Sequence, residues 1–271
     1  MKTIFGPALA ALCTLGAITP TMASAETLKQ ITFGVTETYP PFESLSPTGQ
    51  FTGFNIDLGK AICAALKAKC KFVGMPFDGL IPALEAHKFD ATLAAMAVTP
   101  ERAKQIDFSS ELFDAPTSLI APKGSDIKPT IASLKGKTIG VEAGTIQERY
   151  AKAYWEPKGV KLVSYQYQTQ VYADLASGRL DAALQNAVSA DYGFLKKPEG
   201  KNFQFVGDVS YDPQGILGLY AAIGVRKNEP ELLKKINWAL TQIHANGEYD
   251  KLQAKYFSFN IYNAEAAKKT Y

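Results

Sequence analysis

Short β-rich segments alternate with segments of helical period along this chain, and the alternation occurs twice. The first series runs from ITFGVT (31–36) to TPERAKQI (99–106), and the second from KTIGVEAG (137–144) to AVSADYGFLKK (187–197). Strands that are joined through helices lie side by side in the same direction. Each series therefore predicts a mostly parallel sheet flanked by helices, and the fold class is α/β with two lobes.

The end of the chain is too short to form a third domain. One strand in GLYAAIGVRKNE (218–229) is followed by two predicted helices that meet near Gly247. We expect residues 26–113 and 221–271 to form lobe 1, residues 118–210 to form lobe 2, and residues 114–117 and 211–220 to form a hinge. Ligands of open α/β sheets bind beyond the carboxyl ends of the strands, which between two lobes is a cleft.

The first 25 residues have the pattern of a secretory signal peptide. Lys2 precedes an apolar run that ends in the small residues Ala23-Ser24-Ala25, so we expect cleavage after Ala25. A signal anchor is the alternative, but glycine and proline interrupt the run. Charged residues make up 20% of the chain and the net charge is +3, which gives no support for a nucleic-acid partner.

Two cysteines, Cys63 and Cys70, remain after removal of the signal peptide. An even count in an exported chain makes a disulfide a candidate, and two free buried thiols are the alternative. Seven positions in one helix separate two residues by about 10.5 Å, beyond the reach of a disulfide. A bridge therefore requires the helix to end before Cys70, and Lys67-Ala68-Lys69 are expected in its last turn.

The chain is poor in groups that carry out catalysis. It has two histidines, His87 and His244, and it lacks the HExxH, GxSxG, P-loop and GxGxxG motifs. A pair of carboxylates is sufficient for some reactions, and Glu37 and Glu142 follow predicted strands. We assign no catalytic residue, no metal and no cofactor from the sequence.

The segment AVTPERAKQI places a positive charge at a predicted helix start. Thr99 is a candidate N-cap, Pro100 suits the first turn, and Arg102 lies in that same turn. A helix N-terminus is already positive, so a cation there is misplaced by about 0.3–1 kcal/mol. Arg102 either extends into water or awaits a negatively charged partner, which a guanidinium binds through two parallel hydrogen bonds.

A second candidate for anion binding lies in GVEAGTIQERY. Gly144 follows a strand and Thr145 is a candidate N-cap, so the backbone N–H groups of Ile146 and Gln147 are available to a ligand. The same spacing is also that of an ordinary capping box with Glu148. Aromatic residues follow two strands as well, and Tyr39 and Phe77 either flank a ligand side chain or pack in the core.

These pieces together resemble the periplasmic solute-binding proteins of ABC importers for polar amino acids, which include the lysine/arginine/ornithine, histidine and opine binders. The resemblance covers the mature chain and rests on TETYPPF, GFNIDLGKAICAAL, FDGLIPAL, VTPERAKQIDFS, LKGKTIGVEAGT, DLASGRLDAAL and GEYDKLQAKYF. It implies a type II periplasmic-binding-protein fold with a two-strand hinge, a monomer in the periplasm, an amino-acid-type ligand, no covalent chemistry, and transfer to a membrane permease.

The resemblance also implies roles for individual residues. Arg102 matches the arginine that binds the α-carboxylate of the ligand, with backbone groups of Ala97 and Ile146. Tyr39 and Phe77 match the aromatic residues beside the ligand side chain. Gln147 matches a residue of lobe 2 that contacts the ligand side chain. Cys63 and Cys70 match the disulfide of the basic amino-acid branch.

Several positions depart from the pattern of that family. Thr36 stands where basic amino-acid binders usually have an acid for the distal cation, and Asn186 stands where an aspartate commonly holds the α-ammonium. Three serines of the lysine and histidine binders are replaced by Ala94, Ala95 and Ala97. The loss of two carboxylates weakens the match to a free dibasic amino acid, since each charged hydrogen bond contributes about 1.5–3 kcal/mol.

Two ligand classes remain open at this point. The one that we expect, because the alanines and Asn186 resemble the opine branch more closely, is an opine or another amino-acid derivative with a less exposed or substituted amine. The other is arginine, lysine, ornithine or histidine, with Glu142 supplying the contact to the cation. A periplasmic enzyme on the same scaffold, similar to cyclohexadienyl dehydratase, and the sensor domain of a receptor are the competing classes of function.

Overall fold

The computed structural model describes residues 1–2, 28–114, 116–209, 211–218 and 220–262. The predicted signal peptide and its cleavage site, apart from the first two residues, lie outside the described residues. No helix in the described part of the chain is long and apolar enough to cross a membrane.

Thirteen strands are present in the described residues: β1 (Gln30–Val35), β2 (Thr38–Tyr39), β3 (Glu43–Leu45), β4 (Phe51–Thr52), β5 (Lys69–Gly74), β6 (Ala91–Thr92), β7 (Ile106–Phe113), β8 (Thr117–Pro122), β9 (Thr138–Glu142), β10 (Lys161–Tyr165), β11 (Ala182–Asn186), β12 (Phe203–Asp208) and β13 (Ala221–Arg226). The α-helices of the same residues are α1 (Phe54–Ala65), α2 (Leu80–Glu85), α3 (Arg102–Gln105), α4 (Ile131–Leu134), α5 (Ile146–Tyr154), α6 (Gln168–Ala176), α7 (Ala187–Ala190), α8 (Pro230–Ala245) and α9 (Glu248–Tyr256).

The strands form one five-stranded sheet in each of two lobes. The sheet of lobe 1 has the order β5-β1-β6-β13-β7, and the sheet of lobe 2 has the order β10-β9-β11-β8-β12. In each sheet four strands point the same way and one is antiparallel to its neighbours, β13 in lobe 1 and β8 in lobe 2. The predicted two-lobe α/β class with mostly parallel sheets is confirmed.

Helices cover both faces of each sheet, so the strands are buried on two sides. In lobe 1 one core cluster includes residues of α1, α8 and α9, and a second cluster includes α2. In lobe 2 separate clusters contain residues of α5 and α6. Parallel strands that are covered in this way are almost entirely apolar, which explains why the two series were recognisable in the sequence.

The fold differs locally from the predicted pattern. The predicted helix over residues 99–106 is confined to α3, because the chain enters the extended strand β7 at Ile106. The helix predicted from Ala187 continues as a π-helical turn over Asp191–Leu195. A small antiparallel sheet of β2, β3 and β4 was not predicted, since its strands have two or three residues each and carry almost no periodic signal.

Cys63 and Cys70 form a disulfide with a Cα–Cα distance of 5.8 Å. Helix α1 ends at Ala65, so the chain turns back before Cys70, as the bridge requires. The expectation that Lys67-Ala68-Lys69 lie in the last helical turn is wrong. Lys67 has a left-handed conformation with φ of 54° and Lys69 begins β5, because the chain needs these residues to reverse its direction.

Removal of this disulfide is expected to lower the free energy of unfolding. Closing a loop this short restricts the unfolded chain by an amount equivalent to about 2.5 kcal/mol. Urea unfolding of a Cys63→Ala/Cys70→Ala variant measures the loss. A reductant should destabilise the wild-type protein by the same amount and leave the variant unchanged, and equal midpoints for wild type and variant would contradict the expectation.

Candidate ligand-binding site

A cavity lies between the two lobes. The residues that line it come from both lobes: Tyr39, Phe77, Ala94, Ala95, Ala97, Arg102, Glu142, Thr145, Ile146, Gln147 and Asn186. Ten of the eleven residues predicted from the sequence are in this set; Thr145 is additional and Thr36 is absent.

The strand ends bring these residues together. In lobe 1 the alanines follow β6 and Tyr39 lies a few residues beyond the end of β1. In lobe 2 Glu142 is the last residue of β9 and Asn186 is the last residue of β11. Because β1 and β6 are parallel neighbours, as are β9 and β11, each pair ends at one edge of its sheet and faces the cleft.

Arg102 is buried in this cavity with no carboxylate partner among the described residues. Its Nη1 donates to the backbone oxygen of Ala97 at 2.8 Å and its Nη2 to that of Gly144 at 3.0 Å. The guanidinium carbon lies 5.2 Å from the centre of the Phe77 ring. Burial lowers the pKa of Arg102 from its usual value to about 10, so the group stays charged at neutral pH. The cavity thus contains a positive charge that lacks a counter-ion.

Thr99 orients the backbone at Arg102, because its Oγ1 accepts a hydrogen bond from the Arg102 N–H at 3.2 Å. The predicted anion site at this helix start needs a correction. Helix α3 has four residues, so its peptide dipoles add little to the charge of the guanidinium. Attraction for an anion at this position depends on the side chain of Arg102.

Helix α5 presents its N-terminus to the same cavity. Thr145 is the N-cap and accepts from the Glu148 N–H at 3.2 Å, while Glu148 Oε2 accepts from the Gly144 N–H at 2.8 Å. The capping arrangement is therefore present. It leaves the N–H groups of Ile146 and Gln147 without acceptors inside the helix, since a cap satisfies only part of the first turn. Both residues line the cavity.

Two amide side chains in the cavity wall are held by neighbouring groups. Gln147 Nε2 donates to Thr117 Oγ1 at 2.9 Å. Asn186 Oδ1 accepts from the Ser189 N–H at 3.0 Å and caps α7. These bonds fix the orientation of both amides before any ligand is present.

The structure places Thr36 behind the cavity wall. Its hydroxyl donates to Glu43 Oε1 at 2.7 Å, and Asn55 Nδ2 donates to Glu43 Oε2 at the same distance. Glu43 has no exposed surface, and burial raises its pKa to about 8. Sequence reasoning missed this buried acid because it lies in the short strand β3, which has no recognisable period.

The two carboxylates that the sequence offered as a pair are not together in the cavity. Glu142 lines it, whereas Glu37 does not and instead accepts a hydrogen bond from the Tyr167 hydroxyl at 3.1 Å. Burial, together with the charges of Glu43 and Asp78, raises the pKa of Glu142 to about 8. Glu142 therefore binds a proton at neutral pH unless a cation approaches it.

Direct contacts between the lobes close the cavity. Glu37 and Tyr167 are on opposite lobes, Arg149 of α5 forms an ion pair with Glu101, and Arg102 itself reaches Gly144. The structure is thus the closed arrangement of the two lobes.

Two α/β lobes that close over a cavity holding an unpaired buried charge define the class of two-lobed solute-binding proteins. The chain belongs to the bacterial extracellular solute-binding proteins, family 3, which it matches over residues 31–259. Its function is the binding of a solute.

Several characterised proteins are similar over nearly their whole length. The lysine/arginine/ornithine-binding periplasmic protein of Escherichia coli is 45% identical over 248 residues, which cover 92% of this chain and 95% of that protein. The histidine-binding periplasmic protein of Salmonella typhimurium is 43% identical over 242 residues, which cover 89% of this chain and 93% of that protein. A solved structure of an ancestral arginine-binding protein bound to arginine superimposes with a TM-score of 0.78 at 36% identity, and covers 86% of this chain and all of that one.

Proposed function

We propose that this protein captures a free amino acid, or a derivative of one, in the periplasm and delivers it to the permease of an ABC transporter. The observation that carries the proposal is the buried guanidinium of Arg102, which has no anionic partner among the described residues and lines the cavity between the lobes. A buried charge is stable only when it is paired or well hydrogen-bonded. A ligand carboxylate supplies the missing partner.

In this proposal the carboxylate binds to Arg102 and to the backbone N–H groups of Ala97 and Ile146. The ligand side chain lies between Tyr39 and Phe77, since aromatic faces suit an aliphatic or cationic chain. Gln147 contacts the side chain from lobe 2. The remaining lining residues assigned to the ligand are Ala94, Ala95, Glu142 and Asn186, with Thr36 acting from behind the wall.

The ligand is either a basic amino acid or an opine-like derivative. The similarity to a histidine-binding protein and to a lysine/arginine/ornithine-binding protein favours a basic amino acid as the ligand. The alanines and Asn186 favour a derivative, because they offer fewer polar partners to a free α-ammonium. Glu142 is the lining acid available to a cation among the described residues.

The mode of action that we propose is binding without covalent chemistry, by a monomer. We assign no catalytic residue, metal or cofactor. Residues 26–113 with 221–271 and residues 118–210 move as the two lobes, and residues 114–117 and 211–220 act as the hinge. The signal peptide directs export and is cleaved after Ala25.

Thermal unfolding against a ligand panel tests the proposal. The protein is unfolded and refolded first, so that it carries no bound ligand. A ligand at 100 times its dissociation constant is expected to stabilise the folded state by about 2.7 kcal/mol, because it binds only that state. The panel contains arginine, lysine, ornithine, histidine, opines, and acidic amino acids as controls.

The pattern of shifts separates the alternatives. A shift with arginine, lysine, ornithine or histidine assigns the basic class, and a shift confined to substituted amines assigns the opine-like class. No shift with any amino acid or derivative contradicts the proposal. Turnover of prephenate by the pure protein would instead assign an enzyme of the cyclohexadienyl dehydratase type.

A further inference from the structure

Two carboxyl groups on opposite lobes are buried at or next to the ligand cavity, and neither forms an ion pair within the part of the chain that the structure describes. Glu142 belongs to lobe 2 and is 4% exposed, and Glu43 belongs to lobe 1 and is fully buried. The side chains that hydrogen-bond to Glu43 are the hydroxyl of Thr36 and the amide of Asn55. Glu142 lies near the charges of Glu43 and Asp78 and accepts a hydrogen bond from the backbone N–H of Gln168. Two buried negative charges in one region repel each other, so they cannot both be ionised without a compensating charge.

The surroundings of Glu43 accommodate it with or without a proton. When it is ionised, both oxygens accept hydrogen bonds, from Thr36 and from Asn55. Asn55 Oδ1 is buried and has no hydrogen-bond partner among the described residues. Rotation of that amide by half a turn presents Oδ1 to Glu43 and provides an acceptor for a proton on the carboxyl group.

The other titratable groups near Glu142 do not compensate its charge. Asp78 adds to the repulsion, and Tyr39, Tyr167 and Tyr172 all have pKa values above the ordinary value, so these phenols are neutral at physiological pH. Arg102 lines the same cavity, but neither a hydrogen bond nor an ion pair joins it to Glu142 among the described residues. Among the described residues none places a positive charge against Glu142, so the charge has to come through the ligand cavity that Glu142 lines.

We infer that Glu43 and Glu142 act together as a proton-linked receptor for a cationic group of the ligand, so that binding of the cation displaces a proton from the pair. The inference rests on the proposed function and assigns a positively charged ligand to it. Glu142 contacts the ligand cation, and Glu43, which does not line the cavity, is a positioning residue that sets how readily Glu142 gives up its proton. The proton leaves to solvent, and the ligand charge replaces it.

Isothermal titration in two buffers of different ionisation enthalpy counts the protons released. L-arginine is the cationic probe, and L-citrulline is the neutral probe of almost the same shape. We expect release of roughly half to one proton per arginine at pH 7 and little release with citrulline. We also expect the affinity for arginine to rise by up to about tenfold per pH unit between pH 6 and 8.

Three variants assign the protons to residues. Glu142→Gln should abolish the release and weaken arginine binding more than citrulline binding. Glu43→Gln should reduce the number of protons released while arginine still binds, because Glu142 then ionises without repulsion from a second carboxylate. A purely structural role of Glu43 would leave the proton count unchanged. Glu156→Gln, at an exposed position, is the control and should behave as wild type.

Different failures identify which proposal is wrong. Arginine heats that are independent of the buffer, or an unchanged proton count in both buried variants, overturn the inference and leave solute binding intact. Binding of a panel member whose side chain has no positive charge, with no binding of any member that has one, also overturns the cation receptor. Lack of binding by every amino acid and derivative overturns the proposed function itself.

Discussion

Replacement of Arg102 by alanine should weaken binding of the amino-acid ligand by about 100- to 10,000-fold. Two charge-assisted hydrogen bonds to a carboxylate contribute about 3–6 kcal/mol together, and each 1.4 kcal/mol is a factor of about ten in the dissociation constant. The side chain is 6% exposed, so water does not replace it efficiently. Titration calorimetry with the strongest ligand of the panel measures the effect.

Arg179→Ala is the matched control for this experiment. Arg179 is exposed and paired with Asp174 on the surface of lobe 2, away from the cavity lining. Its removal should leave the affinity unchanged within about a factor of two, because exposed ion pairs contribute little. Urea unfolding of both variants shows whether they are folded. An affinity within threefold of wild type in folded Arg102→Ala protein would contradict the role of Arg102 in carboxylate binding.

Replacement of Phe54 by alanine should lower the free energy of unfolding by about 3–5 kcal/mol. The Phe54 ring is fully buried at the start of α1. It lies 5.8 Å from the ring of Phe113 in β7, 5.7 Å from that of Tyr249 in α9 and 5.3 Å from that of Phe257. The substitution removes the ring contacts by which α1 packs against β7, α9 and Phe257 in the core of lobe 1.

Phe205→Ala is the control for this second prediction, because Phe205 is 39% exposed on β12 of lobe 2. We expect it to lower the free energy of unfolding by less than about 1 kcal/mol. Urea unfolding at constant ligand concentration compares the two variants. A loss below 1 kcal/mol in Phe54→Ala would show that the C-terminal helices contribute little to the core of lobe 1.

Much of the fold was predictable because the sequence patterns that specify its longer strands and helices lie within short stretches of the chain. The two strand–helix series follow from hydrophobic period, and helix α5 begins at Ile146 after the N-cap Thr145, with Glu148 in the first turn, as its capping pattern indicates. Arg102 attracted attention as a cation at a helix start, and five further lining residues did so from their positions after strands or at a helix N-terminus: Tyr39, Phe77, Glu142, Ile146 and Gln147. The resemblance to a family added the alanines and Asn186. The disulfide was one of two interpretations of the cysteines, and the structure shows the bridge.

The elements that sequence analysis missed have weak local signals. Strands β2, β3 and β4 are too short for a period, so Glu43 looked like a loop residue. Helix α3 is shorter than predicted because β13 pairs with the following strand from Ile106 onward. That pairing joins residues more than 100 positions apart, so a pattern read over a short stretch of sequence cannot include the two strands together.

The sequence by itself determined the order of the longer strands and helices, the class of the fold and the expectation of a ligand cleft at the strand ends, because hydrophobic period, caps and chain direction are local properties. Only the tertiary structure decided which charges are buried, which have partners and which groups meet across the lobes. The pKa values of Arg102, Glu43 and Glu142 depend on loss of water and on neighbours from distant segments. Those interactions exist once the lobes are folded and closed, because desolvation and Coulomb energy depend on distance in space rather than on separation along the chain.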